Sequence, residues 1–261
     1  MHVSPDPDLV TYWLADEIDE RGYGLRGDTF AVLDALEAAG RPAWFRLGDR
    51  DLAMCLIRTE LLRSGRALTE AHAAVVDAMG VTTPVLPMCD EPVATWVQSE
   101  GRSWPFQEYM ILGGAKRAVE GVELRGIDDA RPTAAVLEAV ARAQAIVIGP
   151  SNPVISIGPI LAVPGMREAL ASARAPVIAV SPFVGGHAVK GPTELFCAQA
   201  GIETSARGIA AAYHGVLDGI VADEEVDGLP GVAIGTLMDT PADRRRVGEA
   251  VLDVARLVAA G

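Results

Sequence analysis

A turn rich in glycine, serine and asparagine follows a short apolar run in the second half of the chain. Residues 145–148 have the continuous hydrophobic character of a buried parallel strand, and Gly149, Ser151 and Asn152 come directly after them. In an open parallel sheet, ligands bind beyond the carboxyl ends of strands, where backbone N–H groups and small polar side chains can hold an anion. The pattern predicts a phosphate site at these three residues. The competing interpretation is an ordinary proline-stiffened turn, because the segment lacks the lysine of a P-loop.

Two carboxylates and two guanidiniums are concentrated between residues 46 and 51. Arg46, Asp49, Arg50 and Asp51 stand at the start of a predicted helix, and a helix N-terminus favours acidic side chains and accommodates anions. The arginines could hold a phosphate through paired hydrogen bonds while the acids face a metal ion. The structural alternative is that Asp49 caps the helix and Asp51 pairs with the solvent-exposed Arg50.

Further acids stand near the first residues and after residue 86. Asp6 and Asp8 flank a proline, and Asp90 is followed by Glu91. We expect these residues on loops, where spaced carboxylates could bind a Mg²⁺ ion that bridges a diphosphate, because this ion prefers oxygen ligands. The competing interpretation is solvated surface. No nucleophile elbow, catalytic triad or GxGxxG fingerprint occurs in the sequence.

The elements that must position these residues alternate regularly in the second half, which predicts βαβ units. Helices are predicted at residues 133–143, 166–173, 193–200, 205–214 and from 240 to the C-terminus. Strands are predicted at residues 145–148, 176–180, 219–222 and 232–237. The last helix has the clearest start, because Thr240 and Asp243 match a capping box with Pro241 in the first turn.

The first half is predicted to be helical and then antiparallel. Helices are predicted at residues 29–39, where Asp28 is the cap, 51–64 and 69–79, and each is stopped by a glycine. Residues 93–98 and 104–112 are predicted to form a hairpin of two strands. The predicted fold is α/β, with a Rossmann-like, mostly parallel sheet flanked by helices. One domain spans residues 1–261, with a helical and antiparallel-strand insertion at about 28–126 and the Rossmann-like part at about 127–261 plus the N-terminal segment.

The composition excludes several classes of function. The 22 basic and 35 acidic residues give a net charge of −13, which argues against a nucleic-acid partner. Every apolar run is broken well before the roughly 20 residues of a membrane-spanning helix, and the first residues lack a signal pattern. We expect a cytoplasmic protein with no membrane partner. The three separated cysteines fit reduced thiols, and the four histidines lack metal-ligand spacing.

Several short motifs follow one another along the chain: SPDPD, DTF, LGDRD, LPMCDEPV, FQEY, IGPSNPVISIGPIL, PGMRE and VSPFVGG. Taken in this order, they closely resemble those of the 2-phospho-L-lactate transferase family of coenzyme F-420 biosynthesis. The resemblance covers nearly the whole chain, and GPSNPVISIGPI together with LGDRD is its most specific part.

The resemblance implies a magnesium-dependent transferase that acts on the deazaflavin Fo (7,8-didemethyl-8-hydroxy-5-deazariboflavin). A ribityl hydroxyl of Fo attacks the phosphorus that carries the lactyl or enolpyruvyl group of a guanosine-diphosphate-linked donor, and GMP leaves. It also implies a homodimer. The resemblance leaves open whether the donor carries phospholactate, phosphoenolpyruvate or a glycerate analogue.

The family's contacts can be carried over onto this sequence. Fo contacts fall on Asp8 and Arg46, and the guanosine-diphosphate end of the donor falls near Gly149, Ser151 and Asn152. Phosphoryl transfer needs positioning and charge neutralisation above all. The expected metal ligands are drawn from Asp6, Asp8, Asp49 and Asp51, one of which also accepts the ribityl proton. The expected catalytic residues are Asp8, Asp49 and Arg50, with Arg50 supporting the diphosphate.

The chain departs from the family pattern in two places. In the family, a first strand and a Gly-rich loop of the GGTGG type precede the SPD motif, and neither occurs in these 261 residues. We therefore expect weakened donor binding, through either a gene start assigned too late or a truncated homologue. Pro7 and Leu9 replace the usual Leu and Thr of the PDLDT pattern, which predicts a small shift of Asp8.

Two alternatives to the transferase are weighed. One is a non-catalytic nucleotide-binding regulator, similar to the gluconeogenesis factors that bind nucleotide sugars. The other is a truncated, inactive homologue. Asp8, Arg46 and the acids of LGDRD favour the transferase, because a regulator has no need of a deazaflavin subsite.

Overall fold

The computed structural model describes residues 1–189 and 191–260, and the chain divides into two compact units, Met1–Pro92 and Val93–Gly261. The first unit is helical. Its helices are α1 (Pro5–Leu14), α2 (Ala31–Ala38), α3 (Asp49–Arg63) and α4 (Leu68–Ala78). The three helices predicted at residues 29–39, 51–64 and 69–79 are confirmed. The single domain with an insertion at residues 28–126 stays a prediction.

Helix α1 corrects the expectation that the first acids lie on a loop. Asp6 and Asp8 belong to the first turn of α1, which begins at Pro5. The first amides of a helix have no intrahelical partner, so Pro5 and Pro7 sacrifice no hydrogen bond there. The helical hydrogen bonds start with the Asp8 amide, which donates to the Ser4 carbonyl at 3.1 Å.

The long helices α3 and α4 pack together in the first unit. Gly65 and Gly80 follow them with φ of 90° and 69°, a left-handed conformation that glycine adopts without strain. The buried apolar side chains of this unit are Tyr12, Leu25, Leu33, Leu47, Cys55, Ala71, Val75, Val76 and Cys89. This core is interrupted by charged residues of α1 and α3, which are described below.

Among the described residues, the second unit contains three sheets, seven α-helices and one short 3-10 helix (Ile127–Asp129). The strands are β1 (Ala94–Ser99), β2 (Arg102–Pro105), β3 (Gly121–Arg125), β4 (Ile146–Ile148), β5 (Val177–Val180), β6 (Phe183–Val184), β7 (His187–Ala188), β8 (Gly219–Ala222) and β9 (Gly231–Ala233). The helices are α5 (Phe106–Ile111), α6 (Ala134–Arg142), α7 (Ile157–Ala162), α8 (Met166–Ala171), α9 (Thr193–Ala200), α10 (Ala206–Ala212) and α11 (Pro241–Ala260).

A three-stranded antiparallel sheet has the order β2-β1-β3. It contains the predicted hairpin, with Val97 opposite Trp104. The prediction of a second strand over residues 104–112 is wrong in its second half. Strand β2 ends at Pro105, which has no amide for the ladder, and helix α5 begins at Phe106.

A four-stranded parallel sheet has the order β4-β5-β8-β9, with all three neighbouring pairs parallel. Helices α10 and α11 pack against it. The predicted α/β class, with a Rossmann-like, mostly parallel sheet flanked by helices and additional antiparallel strands, is confirmed. The last strand is shorter than the predicted residues 232–237, since it ends at Ala233.

Helix α11 begins as its sequence predicts. The Asp243 carboxylate accepts hydrogen bonds from the Thr240 amide and hydroxyl, and the Asp243 amide donates to the Thr240 hydroxyl. Val247, Val251 and Val254 of this helix join Ile178 and Val221 of the sheet in one buried cluster. This packing holds the central strands β5 and β8, whose carboxyl ends lie at the same edge as the end of β4.

Candidate functional site

A buried ion pair joins helices α1 and α3 in the first unit. The Asp8 side chain accepts from both terminal nitrogens of Arg58, with Nη1–Oδ1 at 2.6 Å and Nη2–Oδ2 at 2.8 Å. Asp8 is 3% exposed and Arg58 is 0% exposed. Although burial lowers it, the hydrogen bonds and charge of Asp8 raise the pKa of Arg58 above its usual value. The guanidinium and the carboxylate are therefore a fixed, charged pair.

Helix α4 closes this pair with His72. The His72 ring is fully buried, with Nδ1 at 3.4 Å from Arg58 Nη1 and Nε2 at 3.3 Å from the Thr11 hydroxyl. Burial lowers the pKa of His72, and the nearby Arg58 charge lowers it further, against the Asp8 charge. A neutral imidazole fits this position, because it adds polar partners without adding a second buried cation.

Asp51, from the LGDRD motif, lies beside Asp8. One oxygen each of Asp8 and Asp51 and the Cys55 sulfur all lie within 4.8 Å of one another, and all three residues are buried. The Tyr12 hydroxyl donates to Asp51 Oδ1 at 2.8 Å. Burial raises the pKa of Asp51, the Tyr12 hydrogen bond opposes this, and the charges of Asp8 and Asp28 add to it. Two motifs far apart in sequence thus bring two carboxylates together.

These carboxylates fit a hard divalent cation better than the thiol does. Mg²⁺ takes oxygen ligands, and burial raises the pKa of Cys55 to about 12, so its sulfur stays protonated. Arg58 uses two of the roughly four lone-pair positions of Asp8, which leaves acceptor capacity there. The carboxylates of Asp8 and Asp51 carry two negative charges, and the Arg58 guanidinium balances only one of them. A bound cation would balance the other. Asp8 and Asp51 are therefore the members of the predicted metal set that the structure brings together.

Asp49, the third predicted ligand, is engaged elsewhere. Its carboxylate accepts from the Thr29 hydroxyl at 2.6 Å and from the amides of Ala31 and Val32 at 3.0 Å each. These hydrogen bonds lower the pKa of Asp49. Both oxygens cap the start of α2, so this residue is occupied by the fold. Its predicted catalytic and metal-binding roles stay predictions.

The expected helix caps are exchanged between α2 and α3. The sequence predicts Asp28 as the cap of the helix that follows it, and this is wrong. Asp28 Oδ1 accepts from the Arg50 amide at 2.9 Å and Oδ2 accepts from the Asp51 amide at 3.1 Å, both at the start of α3. The structural alternative predicted Asp49 as a cap of α3. Asp49 is a helix cap, but the helix that it caps is α2.

Asp6 and Arg50 lie at the exposed side of this region. Asp6 is exposed and makes no hydrogen bond or ion pair to the described residues. Arg50 Nη2 lies 3.3 Å from the Glu17 carboxylate, and its Nη1 donates to the Arg26 carbonyl at 3.2 Å. The alternative of an Asp51–Arg50 pair is therefore wrong, because Asp51 is buried against Tyr12. Arg50 remains half-exposed and open to a further anion.

Arg46 lies against an aromatic ring. Its guanidinium carbon is 4.9 Å from the centroid of Phe30, and its Nη2 donates to Asp34 at 2.7 Å. A guanidinium this close to an aromatic ring is attracted to the ring face electrostatically. The side chain of Arg46 is 45% exposed, so it is accessible from solvent.

The predicted phosphate turn lies in the second unit, after β4. Gly149 and Ser151 are exposed, and Asn152 is 8% exposed. Asn152 Oδ1 accepts from the amides of Val154 at 2.8 Å and Ile155 at 3.1 Å, which shapes the turn before α7. Its Nδ2 is buried and has no partner among the described residues. A buried amide donor without an acceptor is costly unless a ligand supplies one.

Sequence reasoning missed Arg58, although a signal for it exists. Asp51, Cys55 and Arg58 follow one another at spacings of four and three, which places them on one face of a helix. An arginine on the same face as a buried acid indicates an internal charge partner. The exchange of caps had no such signal, because it depends on how two helix starts meet.

Comparison with known proteins agrees with this arrangement of motifs. The model of the family described as 2-phospho-L-lactate transferase CofD matches residues 1–230. The chain belongs to this family. It therefore belongs to a family of transferases.

Two curated relatives of the CofD family are similar over most of their length. A 2-phospho-L-lactate transferase of Methanosarcina mazei is 39% identical over 223 residues, which cover 85% of this chain and 73% of that protein. A phosphoenolpyruvate transferase of Streptomyces griseus is 40% identical over 230 residues, which cover 85% of this chain and 72% of that protein.

Among solved structures, this CofD-family chain is similar to a UPF0052-family protein from Bacillus halodurans. In one crystal structure the identity is 18% and the TM-score is 0.46, covering 67% of this chain and 54% of that one. In a second the identity is 15% and the TM-score is 0.49, covering 98% and 88%. Among residues 1–189 and 191–260, no helix has the length and apolar character to span a bilayer.

Proposed function

We propose that this chain transfers a phospholactyl or phosphoenolpyruvyl group from a guanosine-diphosphate-linked donor to a ribityl hydroxyl of Fo, with release of GMP, in coenzyme F-420 biosynthesis. The names of its curated relatives, a 2-phospho-L-lactate transferase and a phosphoenolpyruvate transferase, support this class of reaction. The observation that carries the proposal is the approach of Asp8 and Asp51 to within 4.8 Å in a buried setting.

The reaction is a displacement at phosphorus. A bond forms between the ribityl oxygen and the phosphorus that carries the lactyl or enolpyruvyl group. The bond from that phosphorus to the bridging oxygen breaks, and its electron pair leaves with GMP. Catalysis of this kind rests on holding the two oxygens in line and on neutralising the charge of the phosphoryl group.

Asp8 and Asp51 would hold a Mg²⁺ ion, which would neutralise negative charge on the donor diphosphate. Asp51 also accepts the ribityl proton on a carboxylate oxygen. This assignment rests on the position of Asp51 beside Asp8 in the buried acid pair. Asp8, whose charge is matched by Arg58, is the better-fixed ligand.

The remaining residues bind and orient. Arg46, with Phe30 beneath it, offers a flat cationic surface to the deazaflavin ring. Arg50, half-exposed beside Glu17, supports the diphosphate. In the second unit, the turn at Gly149, Ser151 and Asn152 binds the guanosine-diphosphate end, with the unpartnered Asn152 Nδ2 as a donor to a phosphate oxygen.

We also propose that the protein acts as a homodimer in the cytoplasm. Its three cysteines are free and buried, which fits a reducing compartment. Size-exclusion chromatography with light scattering would test the dimer. A monomer at micromolar concentration would contradict it.

The test of the proposed function is GMP release by the purified chain, supplied with Fo, Mg²⁺ and either the phospholactyl or the phosphoenolpyruvyl guanosine-diphosphate donor. We expect release that requires both Fo and Mg²⁺. Asp8→Asn should lower kcat more than tenfold, whereas the matched control Asp77→Asn, at the end of α4, should not. Binding of nucleotide without turnover by the wild type would instead favour the non-catalytic regulator.

A further inference from the structure

We propose that Arg58 is a positioning residue for Asp8: its two-point hydrogen bonding fixes the Asp8 carboxylate in the orientation that lets it share a Mg²⁺ ion with Asp51. This inference rests on the proposed function. It adds a residue of the chain that neither the family motifs nor the relatives' names point to.

Stability does not explain the buried pair of Asp8 and Arg58. Removing a guanidinium and a carboxylate from water costs more than their attraction returns in many proteins, and apolar replacements are often as stable or more stable. Arg58 is the largest fully buried side chain among the described residues, and its Nε is buried without a partner. A charged group whose hydrogen bonding is incomplete is a poor choice for a core position.

The geometry of the pair fixes the orientation of the Asp8 carboxylate. Each oxygen of Asp8 accepts from a different nitrogen of Arg58, at 2.6 and 2.8 Å, so the plane of the carboxylate is fixed to the plane of the guanidinium. A fork of two parallel hydrogen bonds fixes orientation as well as distance, which a lysine ammonium cannot do. Rotation of the Asp8 side chain would break both bonds at once.

The Arg58 guanidinium is itself held from several sides. Arg58 Nη1 lies 3.4 Å from His72 Nδ1, and Nη2 lies 3.5 Å from both the His2 carbonyl and the Cys55 sulfur. Residues from α3, α4 and the segment before α1 therefore surround it. An arginine held in this way keeps the Asp8 carboxylate in a fixed position relative to α3, α4 and the segment before α1.

The Asp8 carboxylate lies beside that of Asp51. Asp8 and Asp51 approach within 4.8 Å, and two carboxylates this close repel each other. The Arg58 guanidinium offsets the negative charge of Asp8. The carboxylates of Asp8 and Asp51 can therefore stay close together and still accept a cation. The structure thus gives Arg58 a role in holding the ligand pair together.

The test uses two variants of the full chain, Arg58→Lys and Arg58→Gln, with Arg66→Lys as the control. Arg66 makes an exposed pair with Glu70 in the same unit, at 3.2 Å. Lysine keeps the charge but loses the fork, and glutamine keeps a single donor group. The first readout is Mg²⁺ binding by isothermal titration calorimetry without substrates. The second is circular dichroism with thermal unfolding.

We expect both Arg58 variants to fold with wild-type helix content and to bind Mg²⁺ at least tenfold more weakly, whereas Arg66→Lys binds as the wild type does. In turnover, kcat should fall and the Mg²⁺ concentration at half-maximal rate should rise, with the KM of the donor unchanged. Wild-type Mg²⁺ affinity in the Lys variant would overturn the inference and leave the proposed transfer reaction intact. Loss of fold in both variants would also overturn it, since the pair would then be an element of the fold. A wild type that binds no Mg²⁺ would overturn both the inference and the metal assignment of the proposed function.

Discussion

Asp28 and Asp49 each cap the helix that begins beside the other. The Asp28 carboxylate accepts the amides of Arg50 and Asp51 at the start of α3, and the Asp49 carboxylate accepts the amides of Ala31 and Val32 at the start of α2. Each cap is therefore made between segments and not within one. The conspicuous acids of DTF and LGDRD tie two helix starts together, and only Asp51 of the LGDRD motif reaches the buried acid pair.

Gly48 is required by this exchange of caps. A Cβ placed on Gly48 would overlap the Asp28 carboxylate. We expect Gly48→Ala to lower the free energy of unfolding by about 1–3 kcal/mol, because the carboxylate must move away from the α3 amides. The measurement is urea denaturation followed by circular dichroism.

The matched control for that substitution is Gly248→Ala. Gly248 lies within α11, and a Cβ there meets open space. Alanine should leave the stability unchanged or raise it by about 0.5–1 kcal/mol, since glycine is a poor helix former. Equal effects of the two substitutions would contradict the steric role of Gly48.

Asp8 and Asp49 should differ sharply in activity assays. Asp8→Asn removes a buried carboxylate from the acid pair, and we expect kcat for GMP release to fall more than tenfold. Asp49→Ser retains a cap acceptor for the amides of α2, so kcat should stay within about threefold of wild type, with a small loss of stability. A large loss of kcat in Asp49→Ser, with the fold intact, would show that Asp49 takes part in catalysis as well as capping α2.

Substitution of Asn152 should weaken the binding of the donor and leave the binding of Fo unchanged. In Asn152→Asp the carboxylate can still accept the amides of Val154 and Ile155, but the unpartnered Nδ2 donor is lost and a negative charge is added. We expect the KM of the guanosine-diphosphate donor to rise at least tenfold, while the KM of Fo is unchanged. Steady-state kinetics with each substrate varied in turn would check this. An unchanged donor KM would leave the turn as a purely structural feature.

The start of α11 should contribute to stability in a pH-dependent way. Hydrogen bonds from Thr240 lower the pKa of Asp243 below its usual value of 3.8. The unfolded chain therefore binds this proton at a higher pH than the folded chain, so the contribution is complete above 3.8 and is lost as the pH falls through the lower, folded-state pKa.

In a plot of unfolding free energy against pH, the Asp243→Asn variant should lack the loss of stability at low pH that comes from protonation of Asp243. Asp253→Asn is the control, because Asp253 is exposed in the same helix and pairs only with Arg256 among the described residues. If the unfolding free energy of Asp243→Asn falls at low pH as it does in the wild type, the capping box makes no difference to the pH dependence of stability.

The three thiols should be unreactive in the folded protein. Cys55, Cys89 and Cys197 are buried, and burial raises the pKa of Cys55 to about 12 and that of Cys197 to about 11. Because the thiolate is the reactive form, we expect no rapid reaction with a chromogenic disulfide at pH 8, and three equivalents after denaturation. Rapid labelling of a single native thiol would show that its segment opens.

Much of the second unit could be predicted from sequence because its signals are local. The capping box at Thr240 and Asp243 and the apolar run before Gly149 each depend on neighbours in the chain, and both appear in the structure. The strand predicted through residue 112 failed because its apolar and aromatic residues also suit a short helix, and Pro105 decides between the two.

The charge network of the first unit was harder to predict, because it depends on contacts across long separations. Asp8 and Arg58 are 50 residues apart, and Tyr12 and Asp51 are 39 apart. The sequence predicts Asp6, Asp8, Asp49 and Asp51 as candidate metal ligands. It could not say which of them face inward, because that depends on how α1 lies on α3.

The valines of α11 bury one face of the sheet from beyond the part of the chain that the family model matches. The family model ends at residue 230, whereas Val247, Val251 and Val254 cover Ile178 and Val221 from beyond that point. A polypeptide cut at the family boundary would leave the middle of its parallel sheet bare on one side and would expose a surface prone to self-association. The part of the chain that the family model matches therefore ends before the part that buries its parallel sheet.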